Sequence, residues 1–324
     1  MLYVSNTNSA TLVGKYELYD ISSISENEIT LSGDIDTDVF TDTNCQLVKI
    51  AKYGTVTINS GVTVTPSTYD GNSGGIVAID ANEIILNGKI DVSKKGYDAS
   101  NTAPNNGGLQ SGGNPSKAGG SNKYKGGDGG RNYQGHTGYA SDAISITNNL
   151  QEKRMTFGGG STSWTKGGGI IYLNTKKMEI GSQYALSANG QGGYGAYIAE
   201  EYVDYLTGGG AGGTVCINAK NIVFTTQDKD YFVGANGGSG ATERDPDYTK
   251  TSGADGTNVS GGSAPDSNGN HPSTGGIAVG PNGGGGAVGG SNGHDATTTS
   301  GGNGANSVNM GWNAGSGGGG RRIC

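Results

Sequence analysis

The side chains best suited to chemistry in this chain lie in polar segments between runs of glycine. Six of them could bind or react: Tyr248, His271, His294, Trp312, Asp245 and Asp247. Two carboxylates about 5–10 Å apart can act as acid and base on a glycosidic bond, and paired aspartates can also ligate Ca²⁺. Tyrosine and tryptophan offer rigid binding surface at a small entropic cost. These residue types favour recognition of a polar ligand such as a glycan.

The spacing of these residues matches no catalytic or metal-binding motif. The histidines have no cysteine or histidine at the separation of a zinc-ligand set, and no Gly-x-Ser-x-Gly turn joins a strand to a helix. Gly-x-Gly strings are frequent, but none opens a helix in a βαβ unit, so they indicate no dinucleotide site. The sequence therefore predicts that the protein is not an enzyme and has no cofactor. A Ca²⁺ ion ligated by Asp245 and Asp247, or by Asp228 and Asp230, is an alternative.

Three similar segments predict the elements that must position these side chains. They are GGIVAIDANEIILNGKIDVSKKG (residues 74–96), GGIIYLNTKKMEIGSQYALSANG (168–190) and GGTVCINAKNIVFTTQDKDYFVGANG (212–237). Each begins with a glycine pair at a predicted corner and an apolar strand. A polar pair such as Asp80-Ala81 then separates this strand from a second apolar strand. No such unit could bury its apolar face alone. We predict an all-β, β-solenoid-like stack of short strands, with an antiparallel sandwich as the alternative.

Two further segments suggest local structure. Residues 52–66 alternate between β-branched polar and apolar residues, which is typical of a half-buried strand pair. The apolar face consists of Val56, Ile58, Val62 and Val64. In contrast, Ile198, Tyr202 and Tyr205 have helical spacing, so residues 196–206 could form one or two helical turns.

Glycine supplies 65 of the 324 residues and is concentrated in two regions, 94–169 and 208–324. A chain with few side chains must pair its buried N–H and C=O groups with other backbone. Extended helices of the polyproline-II type contain no internal hydrogen bonds, and glycine lets them lie close enough to bond laterally. We therefore predict polyglycine-II-type segments between the β-units. A flexible Gly/Ser linker is the alternative.

Composition excludes several classes of function. The net charge is −7 and no basic run is present, which argues against binding to nucleic acid or to an anionic membrane. The N-terminal residues lack a signal-peptide pattern, and no apolar stretch reaches the roughly 18 residues of a membrane span. Cys45, Cys216 and Cys324 are far apart, so no disulfide is expected, and Cys216 is predicted to be a small buried hydrophobe.

A resemblance follows from these repeats and glycine blocks. The phrases GTVTINSGVTVTP, GGIVAIDANEIILNGKIDVS and GGGAGGTVCINAKNIVF, with glycine blocks between them, resemble tail proteins of phages and prophages. The blocks are similar to the distal adhesins of T-even-type long tail fibres, in which polyglycine-II helices form a sandwich and the joining loops touch the host receptor. The resemblance implies that receptor binding involves the polar segments 241–251, 263–274 and 291–300.

The resemblance also implies a function and a set of partners. We expect a virion structural protein, a tail-fibre or receptor-binding component that contacts other tail proteins and a host-surface glycan or protein. It would be made in the host cytoplasm, assemble into virions without membrane insertion or nucleic-acid binding, and be extracellular after release. Two alternatives are a self-associating capsid-decoration or filament subunit, which would be a homo-oligomer, and a glycan-cleaving tailspike.

The composition shifts predict five regions. The first is an N-terminal β attachment region at residues 1–50, followed by a β-unit at 51–96. A glycine-rich insertion spans 97–167, two β repeat units span 168–240, and a glycine-rich C-terminal region spans 241–324.

Overall fold

The computed structural model describes part of the chain in detail. The described residues are 2–4, 9, 11–40, 45–98, 103–104, 106, 119–122, 126, 154–161, 165–193, 195–198, 203–226, 232–238, 242–243, 250–251, 254–257 and 322–323. Within them the chain forms strands and no helix.

The strands are numbered in chain order. They are β1 Leu2–Val4, β2 Tyr16–Glu17, β3 Ile21–Ser25, β4 Glu28–Leu31, β5 Cys45–Leu47, β6 Lys52–Ile58, β7 Thr63–Val64, β8 Ile76–Leu86, β9 Lys89–Asp91, β10 Ile170–Ile180, β11 Leu186–Ser187, β12 Gly195–Ile198, β13 Val203–Leu206, β14 Thr214–Phe224, β15 Val233–Gly234, β16 Thr242–Glu243, β17 Lys250–Thr251 and β18 Arg322–Ile323.

The larger sheet has the order β18-β14-β10-β8-β6, and all of its neighbouring strands are parallel. Its three 11-residue strands carry the repeated apolar pattern and pair without a shift in register. Ile84 of β8 therefore lies beside Met178 of β10, which lies beside Ile222 of β14. Equivalent side chains form columns that run across the sheet, which is what a repeated sequence requires when its copies pair in parallel.

The smaller sheet is also parallel and has the order β15-β11-β9-β7. Each of its short strands follows one long strand along the chain, so the two sheets face each other. Between them lies an apolar core of fully buried side chains, among them Ile84, Leu86, Met178, Ile180 and Leu186. We call this core the apolar column.

A second apolar cluster lies on the other side of the larger sheet. Tyr69, Tyr97 and Phe157 pack with ring centroids 5.0–5.5 Å apart. Ile170 and Tyr172 of β10 belong to the same cluster and connect these rings to the larger sheet. Tilted and edge-to-face rings at this distance are the favoured geometry for aromatic packing, so this cluster fixes the segment around Phe157 against the sheet.

Glycine-rich segments pack beside the two sheets with their backbones in direct contact. The Gly158 amide donates to the Gly168 carbonyl, the Gly168 amide to Ala211, and the Ala211 amide back to Gly159, at 2.8–2.9 Å. The Gly210 amide bonds to the Gln191 carbonyl in the same way. The segments 156–161, 166–169, 188–192, 208–213 and 235–238 are largely buried. We call this hydrogen-bonded assembly the glycine layer.

Glycine is required at the closest contacts of the glycine layer for a steric reason. A Cβ atom on Gly213 would overlap the Gly169 carbonyl, and one on Gly168 would overlap the Ala188 carbonyl. Backbone replaces side chains as the packing element here, and the N–H and C=O groups pair with those of the next segment.

The N-terminal part forms small antiparallel sheets. Strand β1 lies between β2 and β5, and β3 and β4 form a hairpin with an irregularity between Ile21 and Ser23. The Lys15–Arg154 bridge connects this part to the segment that leads into the glycine layer.

The predicted fold class, an all-β solenoid-like stack of short strands with polyglycine-II-type segments, is wrong. The described residues form two parallel sheets, an arrangement of the α/β type but without a helix in this part of the chain, accompanied by small antiparallel sheets. The polar pair Asp80-Ala81 does not separate two strands, because both residues pair with β10 on one side and with β6 on the other. Each pair of predicted short strands is thus one long strand.

The helical turns predicted for residues 196–206 are also wrong. Gly195–Ile198 and Val203–Leu206 pair as the antiparallel strands β12 and β13. Of the apolar face predicted for residues 52–66, Ile58, Val56 and Val64 join the apolar column, whereas Val62 is 47% exposed. Within the described part of the chain, no helix is long and apolar enough to cross a membrane.

Candidate functional site

All six predicted site residues lie outside the described residues. Asp245, Asp247 and Tyr248 fall within 244–249, and His271, His294 and Trp312 fall within 258–321. Asp228 and Asp230, the other Ca²⁺ candidates, also lie outside the described residues. The proximity of the six residues to one another, and the Ca²⁺ alternatives, stay predictions.

The frame around the first three of these residues is described. Strands β16 and β17 pair antiparallel, with Thr242 opposite Thr251 and Glu243 opposite Lys250. Strand β12 of the neighbouring hairpin lies alongside β17. Glu243 and Lys250, which flank the segment 244–249, are therefore paired with each other, and the β12–β13 pair lies beside them.

A polar groove of about 530 Å³ crosses the outer face of the smaller sheet. Its lining comes from three separate parts of the chain: Lys89, Asp91, Ser93, Lys94, Tyr184, Ser187, Asn189, Gly190, Asp255, Gly256 and Thr257. Residues 89, 91 and 93 point outward because Ile90 and Val92, which alternate with them, are fully buried. The groove combines an aromatic ring, two amines, two carboxylates and hydroxyl groups.

Internal contacts hold the shape of the polar groove. Lys94 Nζ donates to Asp255 Oδ2 at 2.7 Å, and the Gly192 amide donates to Asp255 Oδ1 at 2.8 Å. The Asn189 amide donates to Ser93 Oγ at 3.0 Å. Lys89 Nζ lies 5.6 Å from the ring centroid of Tyr184, a cation–π distance. Asp255 therefore fastens residues 254–257 to the sheet and closes one side of the groove.

A second, apolar groove of about 600 Å³ separates the β3–β4 hairpin from the larger sheet. Its aliphatic lining is Leu18, Ile21, Ile24, Ile29, Leu31, Leu47, Val48 and Ile50. At its rim Lys52 Nζ bonds to Asp20 Oδ1 at 2.6 Å. This hydrogen bond and charge pairing lower the pKa of Asp20 and raise the pKa of Lys52. Both side chains are largely exposed, so water and salt screen the pair.

Polar columns on the outer face of the larger sheet join its strands. Asn218 Nδ2 donates to Asn174 Oδ1 at 2.8 Å, and Asn174 Nδ2 donates to Asp80 Oδ1 at 3.1 Å. Further along, Lys177 lies between Glu83 and Glu179. Hydrogen bonds to these two carboxylates raise the pKa of Lys177. These side-chain hydrogen bonds and ion pairs link neighbouring strands of the larger sheet and stabilise it.

The described residues contain no group of three or more histidine, cysteine or acidic side chains that could hold a metal ion. Cys216 is buried beside Tyr172 in the second apolar cluster, the one that contains Tyr69, Tyr97 and Phe157. The prediction that Cys216 is a small buried hydrophobe is therefore confirmed. Burial is the main cause that raises the pKa of the Tyr172 phenol.

Comparison of the chain with protein-family models, with curated proteins and with solved structures gives no significant match. The grooves and hairpins therefore have to be interpreted from their own geometry.

Sequence reasoning missed the polar groove, although a signal for it was present. The three repeats align LNGKIDVS with the segments that end in YALSANG and YFVGANG. Parallel pairing of those copies brings Asp91 next to Ser187, so the outward residues of one copy had to face the same side as those of the next. The contribution of Asp255 had no such signal, because residues 254–257 lie outside the repeats.

Proposed function

We propose that the chain is a non-catalytic recognition component of a phage tail, a tail-fibre or receptor-binding part that binds a host-surface glycan. The polar groove supports the proposal most directly. Tyr184 offers a flat apolar surface, and Asp91, Ser93 and Lys89 offer donors and acceptors around it. A hydroxyl-rich ring needs this combination of one apolar face and several hydrogen-bonding partners.

Rigidity of the groove adds to this support. The groove walls belong to paired strands, and Asp255 holds the remaining wall through two hydrogen bonds. A site that is already ordered loses little conformational entropy when a ligand binds. Exposed polar side chains on such a frame suit recognition of a repeating surface polymer.

Binding to bacterial surface polysaccharides on a glycan array tests the proposal. We expect fluorescently labelled protein to bind at least one polysaccharide, and Tyr184→Ala and Asp91→Ala to weaken that binding by at least about tenfold, equivalent to 1.4 kcal/mol. Tyr19→Ala, which removes a tyrosine outside the groove, is the matched control and should bind as the wild type does. Equal binding by all three variants would refute the groove as the site.

A loop replacement separates the groove from the originally predicted residues. Substituting Gly and Ser for residues 245–248 removes Asp245, Asp247 and Tyr248 while β16 and β17 stay intact. If only this variant loses binding, the recognition function stands and the groove assignment is wrong. Release of reducing ends from a bound polysaccharide by the wild-type protein would instead favour the glycan-cleaving tailspike and overturn the non-catalytic proposal.

A further inference from the structure

Among the residues that the structure describes, no strand pairs with most of either outer edge of the larger sheet. Strand β18 pairs with β14 at Thr214 and Val215, and no described strand pairs with the outer side of β14 from Ile217 to Phe224. At the opposite edge, β6 pairs with β8 and has no described partner on its other side. Unpaired parallel edges present rows of N–H and C=O groups that can accept another strand.

The apolar column is exposed at its ends. Ile222 of β14 is 41% exposed, whereas Ile84 and Met178, its equivalents in β8 and β10, are fully buried. At the opposite end, Ile58 of β6 is buried, but Val62 in the turn between β6 and β7 is 47% exposed. Apolar surface is therefore exposed beside β14 and in the turn that follows β6.

The two edges have complementary lengths. Strand β6 begins opposite Asp80, so residues 76–79 of β8 border a groove of about 790 Å³ with no described strand beside them. We call it the edge groove. On β14, β18 covers the positions equivalent to 76 and 77, and the positions equivalent to 80–86 are uncovered. The β6 edge thus lacks a described strand beside residues 76–79, and β18 at the β14 edge covers positions equivalent to 76 and 77. Conversely, the β14 edge lacks one beside the positions equivalent to 80–86, which β6 covers at its own edge.

We propose that copies of this chain associate head to tail, with β6 of one copy pairing in parallel with β14 of the next. In the register used by the existing strands, Val56 then lies beside Ile222 and Ile58 beside Phe224. In the same step, β18 of the copy that contributes β14 enters the edge groove of the copy that contributes β6. The two strands together complete one layer of the sheet.

The side chains at the two edges are compatible in this register. Lys220 meets Gly54, so two lysines do not face each other. Lys52 meets Asn218 and extends the polar column of Asn218, Asn174 and Asp80. The column therefore continues across the contact without an unpaired buried charge, which would otherwise oppose association.

Backbone groups at both edges point toward the proposed partner. The Thr225 amide donates to the Ile180 carbonyl, and the Asn87 amide donates to the Ile58 carbonyl. Amides alternate between the two sides of a strand, so those of Ile222 and Thr57 point to the open sides of β14 and β6. The contact joins unlike surfaces, and such a contact extends into an open chain of copies unless its rotation closes a ring.

Two edge variants and a mixture of them test the association. Ile222→Lys leaves its charge in water in the free chain but buries it against Val56 in the assembly. Thr57→Pro removes the outward amide of β6, and proline is tolerated on an edge strand. We expect the wild type to form species of increasing mass as concentration rises in sedimentation velocity experiments, and each variant alone to stay monomeric. The matched control is Ile24→Lys, which replaces an isoleucine that is 62% exposed and lies in the β3–β4 hairpin, not in either edge strand; it should assemble as the wild type does.

The mixture decides the geometry. Ile222→Lys retains a functional β6 edge and Thr57→Pro a functional β14 edge, so mixing them should give a complex of two chains that grows no further. A mixture that stays monomeric would refute head-to-tail pairing, as would a wild type that is monomeric at every concentration. If Thr57→Pro fails to fold by circular dichroism, Val62→Lys takes its place, because that side chain is exposed at the same end of the column. The test uses no glycan, so it is independent of the proposed recognition function.

Discussion

At the scale of single residues, the close packing of the glycine layer requires glycines, because they have no Cβ atom. Gly213→Ala would place a methyl group against the Gly169 carbonyl. We expect it to lower the free energy of unfolding by about 2–3 kcal/mol or more, since backbone cannot move aside as a side chain can. Gly54→Ala is the control, because no atom lies within 4 Å of its added Cβ. Replacing this strand glycine should be neutral or stabilise by up to about 1 kcal/mol. Urea unfolding measures both, and equal effects would contradict the close packing.

A second residue-scale prediction concerns Tyr19. Its hydroxyl donates to the Glu17 carboxylate, and this hydrogen bond is the main cause that raises the pKa of Tyr19 to about 12. The folded state favours the neutral phenol, so this contribution to stability is complete below pH 10 and is lost as pH rises from 10 to about 12. Ultraviolet titration of the wild type minus Tyr19→Phe isolates this phenol. Glu17→Gln should bring its pKa back toward 10, and an unchanged value would contradict the assigned cause.

At the scale of elements, the columns across the larger sheet predict that equivalent positions differ in importance. Ile84 and Ile222 are both isoleucines and occupy equivalent positions in β8 and β14, on either side of Met178. Ile84 is fully buried, whereas Ile222 is 41% exposed. Ile84→Ala should lower the free energy of unfolding by about 2–5 kcal/mol, and Ile222→Ala by much less. Urea unfolding at a dilution where the chain is monomeric tests this, and similar losses would mean that Ile222 is covered in the free chain.

The repeats made the long strands partly predictable. They identified β8, β10 and β14 as equivalent, because each carries the same apolar pattern after a glycine pair. They divided one strand into two at Asp80, since polar residues within a strand look like a break until their cross-strand partners are known. Asn174 and Asn218 supply those partners as a hydrogen-bonded column. The polar groove depends on Asp255, which pairs with Lys94 across 161 positions of the chain, and no local pattern encodes such a contact.

At the scale of the whole molecule, the glycine layer and the two sheets share hydrogen bonds and should open together. The Thr214 amide at the start of β14 donates to the Gly169 carbonyl, and the Gly169 amide donates to the carbonyl of Val92, the residue that follows β9. We expect amides of residues 156–161, 166–169 and 208–213 to exchange with deuterium about as slowly as those of β10. The β3–β4 hairpin, whose side chains are mostly exposed, should exchange much faster. Rapid exchange in the glycine segments would mean that they open separately from the sheets.

Equivalent positions in β8, β10 and β14 pair without a shift in register, although about 80 residues separate the first two strands and about 30 the last two. Register thus does not depend on the length of the chain that connects the units. During evolution, duplication of one unit within the gene would add a strand to each sheet and leave the existing contacts unchanged. Insertions between units could meanwhile vary in length and sequence, and a lineage could acquire new surface loops without redesigning its core.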